Sequence, residues 1–194
     1  MKHLKLFEEF NDKFPDVFNN SLLRGVNIDK DEYIDDPKSR TVNTGPSSDN
    51  DYKEFLNNYS KLGIPDPSKS VHMYFKPGSS QREMINYYGK TYKVIPQEGA
   101  TFGFNKELRN GGLGSTWWFV ERTAKDFLNK SVDKFPSYED DKVAFIEAIT
   151  KYQKDLIHAG VVGKLTYNEL MEMSKENGEP LQVWTESPCL LKKI

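Results

Sequence analysis

Between Glu139 and Ala159 the apolar residues Val143, Phe145, Ile146, Ile149, Tyr152, Leu156 and Ile157 recur every three or four positions, the longest periodic stretch in the chain. A stripe of this kind predicts an amphipathic helix that must lie against another apolar surface. Glu139, Asp140 and Asp141 suit its positive N-terminus, and Gly160 its exit. The rest of the chain offers that surface as short β-rich bursts: SLLRGV at 21–26, VHMYF at 71–75, TYKVIP at 91–96, LQVWT at 181–185 and a last run over Leu190–Ile194. One long helix and scattered strands predict an α+β fold. At 194 residues this is read as a single domain, long enough to bury roughly 70% of its unfolded surface.

Composition narrows the class. Hydrophobic residues make up 37%, yet 13% aromatics argue against a disordered chain, which would be poor in them. The single cysteine, Cys189, excludes a disulfide framework and an all-cysteine zinc site. No window approaches the roughly 18 apolar residues of a membrane span, and MKHLKLFEEFNDKF carries acids where a secretion signal needs an apolar run. No membrane partner and a cytoplasmic location are therefore expected. A formal net charge of −2 gives no general attraction for nucleic acid.

Residues 4–18 carry Leu4, Leu6, Phe7, Phe10, Phe14 and Phe18 at helical spacing, with Pro15 placed to end or kink the segment, so 1–20 is read as an N-terminal helix. Residues 27–50 are read as a long polar loop, with five acids between Asp29 and Asp36. Tyr52–Leu62 is predicted helical and stopped by Gly63 and Pro65. Ser79 or Ser80 is expected to cap a helix over Gln81–Tyr88, with Gly89 past its end, giving strand–helix–strand over 70–96. Phe119–Lys130 and Thr166–Ser174 are also read as helices, the latter opened by a Thr166–Glu169 capping box. With the long helix this makes 139–174 a helical segment.

Few residues carry chemistry outright. His3, His72 and His158 lack metal-ligand spacing, and nothing local activates Cys189. The loop GGLGST at 111–116 lacks the lysine of a Walker loop. Its amides suit either an anion or a turn that lets Trp117 and Trp118 dock. Arg24, ending an apolar strand before Gly25, either snorkels to solvent or presents a planar donor fork that suits a diphosphate.

Three segments in order carry a resemblance. SLLRGV (21–26) resembles the first block of mono-ADP-ribosyltransferases, a strand whose Arg-Gly sits on the NAD diphosphate. VHMYFKPGSSQREMINYYGKTYKVIP (71–96) resembles their second block, strand, helix with an aromatic-Gly end, and strand. QVWTESPCLL (182–191) resembles the third, which in active members begins with the catalytic glutamate. The opening MKHLKLFEEF is similar to small proteins of tailed phages. The resemblance implies two small antiparallel-rich sheets around a cleft with flanking helices, and NAD as the cofactor consumed. It implies Arg24 and Gly25 at the diphosphate, and Tyr74, Tyr87 and Tyr88 stacking on the nicotinamide. Glu186 or Glu179 would supply the carboxylate, and Gln182 stands at the glutamate position itself. His72-Met73-Tyr74-Phe75 stands where a Ser-Thr-Ser motif is expected. The implied partner is a host protein or nucleotide. The alternative is a non-enzymatic accessory or anti-defence protein.

Overall fold

A computed structural model describes residues 13–39, 57–106, 136–176 and 179–194. Eight strands run β1 (Leu22–Val26), β2 (Glu32–Asp35), β3 (Val71–Phe75), β4 (Lys90–Pro96), β5 (Thr101–Asn105), β6 (Val162–Thr166), β7 (Leu181–Thr185) and β8 (Cys189–Lys193). Among the described residues three α-helices accompany them, α1 (Ser79–Tyr87), α2 (Lys142–His158) and α3 (Tyr167–Lys175), and 57–61 is also helical. All strand pairs are antiparallel, in the order β2-β8-β4-β1-β3-β7-β5-β6. The strands therefore join into one eight-stranded sheet rather than the two small sheets expected. The join is narrow, since β1 and β3 share only Leu22↔Phe75 and Leu23↔Tyr74.

Alternation along the strands sends side chains to both faces, and both are covered. On one face Leu22, Met73, Phe75, Tyr92, Val183 and Leu191 pack with Phe18 and with Tyr167 and Leu170 of α3. On the other, Val162 and Trp184 meet Phe145, Ile149, Tyr152 and Leu156 of α2, together with Tyr59 and Ile64. Phe14 covers Ile95 and Leu190 on that second face, toward the β8 side. The long periodic helix is thus scaffold, and its apolar stripe is spent on β6 and β7. No described helix is long and apolar enough to cross a membrane.

Several boundaries differ from the sequence reading. The stretch 27–50 contains β2, an edge strand that pairs with β8 through Glu32↔Lys192 and Asp35↔Cys189. Acids are poor strand formers, and here cross-strand Lys192–Glu32 and Lys193–Asp29 ion pairs offset that weakness. The helical segment 139–174 is interrupted by β6, and β5 was likewise unread. From Phe14 to Asn20 the chain is not helical, so the expected N-terminal helix does not reach 20. Gly78, not a serine, occupies the N-cap of α1. The capping box is present, since Thr166 Oγ1 accepts from the Glu169 backbone and Glu169 accepts from the Thr166 N–H. Residues 1–12 of the first helix, 40–50 of the polar loop, the start of the 52–62 helix, the 109–118 loop with Trp117 and Trp118, and the 119–130 helix lie outside the described residues.

Candidate functional site

Three of the expected site residues, Arg24, Tyr74 and Gln182, lie on the neighbouring strands β1, β3 and β7. Beyond Leu23 the β1 strand pairs with β4 alone, through Arg24↔Tyr92, Gly25↔Thr91 and Val26↔Lys90. Arg24 is therefore the first residue past the last β1–β3 pair. It shares the face of its partner Tyr92, and its Nη1 donates to Asp35 Oδ2 at 2.6 Å, with both side chains partly exposed. The fork expected to await a diphosphate is held by a carboxylate from β2.

Gly25 points to the opposite face. A Cβ there would stand 1.9 Å from the backbone carbonyl oxygen of Ile85 in α1. Gly89, at φ +127°, makes a second close approach, to the carbonyl of Val26. The two glycines let α1 lie directly on β1. This packing accounts for the glycine of the Arg-Gly pair without any ligand.

Tyr74 and Gln182 are direct cross-strand partners, and Gln182 is in turn opposite the buried Asn105 of β5. This polar row lies on the face of Leu23, between the parts of the sheet covered by α1 and α2. The Tyr74 hydroxyl contacts Met84 Sδ at 3.9 Å. Burial, and secondarily the Tyr88 phenol, push its pKa above the ordinary tyrosine value, so near neutral pH it is a hydrogen-bond donor rather than a base. Tyr87 is 86% exposed and Tyr88 56%, their rings edge to face with centroids 5.7 Å apart. The sheet thus brings Tyr74, Gln182 and Tyr88 to one face and Arg24 to the other.

The two candidate carboxylates are not in this row. Glu186 follows β7 at the far end from Gln182, and its Oε1 accepts the Asp66 N–H at 2.6 Å. Glu179 is exposed just before β7. Glu186 belongs to a clamp around the PDPSKS turn (65–70). There the fully buried Asp66 accepts from Ser68 N and Oγ at 2.9 and 2.7 Å and pairs with Lys69 at 2.8 Å. The hydrogen bond from Lys69 to Asp66, followed by their Coulomb attraction, holds the Lys69 pKa above its ordinary value. Trp184 Nε1 donates to the Pro65 carbonyl, and His72 Nε2, which contacts the Pro67 carbonyl at 2.6 Å, stacks on Trp184. The sequence reading missed Asp66, although Asp-Pro-Ser is an Asx-turn signature that marks it. It also missed Asp35 and Asn105, whose roles follow from cross-strand neighbours and leave no local signal.

Among the described residues no three His, Cys, Asp or Glu side chains converge as metal ligands. Neither a protein-family model, nor a curated protein, nor a solved structure matches this chain.

Proposed function

We propose that this chain is an ADP-ribosyltransferase-like phage protein that binds NAD or a related nucleotide at the β1–β3 seam and transfers ADP-ribose to a host target in the host cytoplasm. One observation carries the reading. The three segments of the resemblance, far apart in sequence, lie on the adjacent strands β1, β3 and β7, with the helix of the second segment packed on the glycine of the first. Arg24 is the residue for the diphosphate, and Tyr74 and Tyr88 supply aromatic planes. Gln182 offers an amide dipole where a carboxylate would stabilise the oxocarbenium-like charge, so transfer is expected to be slow relative to binding.

The second reading, a non-enzymatic accessory or anti-defence protein that binds a host protein or nucleotide, is favoured by a specific observation. Arg24 and the Tyr74–Gln182 row occupy opposite faces, so one ligand can reach both only through the seam. Labelled NAD incubated with the purified chain and host lysate separates the two. Label on a host molecule, or release of nicotinamide, supports the transferase. A melting-temperature rise with NAD or ADP-ribose but no transfer supports the binder, because a ligand of the native state stabilises it by mass action. No shift with NAD, ADP-ribose or cyclic nucleotides, and no transfer, refutes the nucleotide reading.

A further inference from the structure

We infer that Asp35 is an internal competitor for Arg24, so that an anionic nucleotide binds by exchange with this carboxylate rather than by entering a free site. The inference rests on the nucleotide reading above and goes beyond it by naming what regulates the site.

The geometry of the pair is unusual for a sheet. Two strands, β4 and β8, separate β1 from β2. On a flat sheet β1 and β2 would lie roughly 14 Å apart, at about 4.8 Å per strand. The 2.6 Å contact between Arg24 Nη1 and Asp35 Oδ2 requires this half of the sheet to curl toward the face of Tyr92. Tyr33 and Tyr92 report the same curl, their ring centroids 5.5 Å apart across β8.

The chemistry of the Arg24–Asp35 contact is that of an exchangeable pair. A guanidinium carries five N–H donors in a plane, and Asp35 takes one of them at Nη1. The side chains are 24% and 13% exposed, so the contact is partly open to solvent. A diphosphate matches the guanidinium fork better than one carboxylate oxygen and brings more charge. Asp35 is the last residue of a four-residue strand at the sheet edge, followed by the short 3-10 turn Pro37–Ser39.

The test uses the full chain with NAD, ADP-ribose and adenosine as probes, in wild type, Asp35→Asn and Arg24→Ala. Asn keeps the shape of Asp35 and removes the competing charge. Exchange predicts that Asp35→Asn tightens NAD and ADP-ribose by about two- to fivefold, the upper part of the range for a partly exposed ion pair. It predicts no gain for uncharged adenosine, and loss of both anionic ligands in Arg24→Ala. If Arg24→Ala abolishes binding while Asp35→Asn binds equally or more weakly, the exchange is wrong and the nucleotide reading stands. If Arg24→Ala leaves the NAD shift intact, the exchange is wrong and NAD is held without Arg24; if neither wild type nor any variant binds, both fall. A drop in melting temperature with unchanged or weaker affinity in Asp35→Asn would mark the pair as purely structural and overturn the proposal. Asp35→Ser serves as a second neutral variant should the amide refill the donor.

Discussion

Replacing Gly25 by alanine separates the structural from the ligand-binding meaning of the Arg-Gly pair. The added Cβ would stand 1.9 Å from the Ile85 carbonyl oxygen, about 1.5 Å short of the 3.4 Å at which ordinary contact begins. The neighbour is backbone of α1, held in its helix, so no rotamer relieves the clash. The helix must shift bodily. It is also pinned near its C-terminal end, where Gly89 lies close to Val26. Overpacking of this kind costs about 1–3 kcal/mol, with the upper end expected here because the helix has nowhere to go. For a chain of this size that corresponds to a melting-temperature drop of about 2–12 °C in a thermal scan, nearer the upper figure for the upper cost. Adding Ile85→Ala should not rescue it, because the offending atom is the carbonyl and not the side chain. At Gly103 the added Cβ would instead meet the Trp184 ring at 2.2 Å, so there Trp184→Phe should recover part of the loss. A Gly25→Ala protein that melts within 2 °C of wild type, as judged by circular dichroism, would refute the packing argument and return Gly25 to the ligand.

Phe145 is fully buried against Tyr138, with ring centroids 5.5 Å apart, and Phe145→Ala should cost about 3–5 kcal/mol by denaturant titration. Thr166→Ala removes the capping box of α3 and should cost about 0.5–2 kcal/mol. Glu186→Ala should destabilise by about 1–3 kcal/mol because the Asp66 N–H loses its acceptor, whereas Glu186→Gln should melt like wild type. A Gln variant that keeps its melting temperature but loses transfer would instead make Glu186 catalytic. Burial pushes the Tyr59 phenol up to about 12, with the neighbouring Gln153 acting in the opposite direction. Its folded pKa lies above the unfolded value near 10, so the stability it contributes is complete below about pH 10 and lost between about pH 10 and 12. Urea titrations across that range in wild type and Tyr59→Phe should show a shallower loss in the variant.

Much of the fold was legible in the residues themselves. Five of the eight strands stand where β-rich bursts mark them, because Val, Ile, Leu and aromatic side chains in alternation suit a pleated surface whatever their partner. The helix Lys142–His158 with its acidic N-terminus and the Thr166–Glu169 box were legible too, since a helix closes its hydrogen bonds within its own segment. The strands β2, β5 and β6 were not. EYID, TFGFN and VGKLT are short, and acids or glycines interrupt them, so they become strands by pairing with β8, β7 and β5. Of the site residues, Tyr74 and Gln182 meet because β3 and β7 pair in a register that no local signal announces.

What the sequence by itself determined was therefore local: the helices Lys142–His158 and Tyr167–Lys175, the capping box that opens the second, and five of the eight strands. Tertiary structure alone decided what those segments mean together. It fused the strands into one sheet through a two-pair join and set Arg24 on the face opposite Tyr74 and Gln182. It also brought Asp35 from a distant edge strand onto the guanidinium. The physical reason is that strand hydrogen bonds and cross-strand neighbours are made between segments, so register and curl belong to the assembled sheet and to no single stretch of chain.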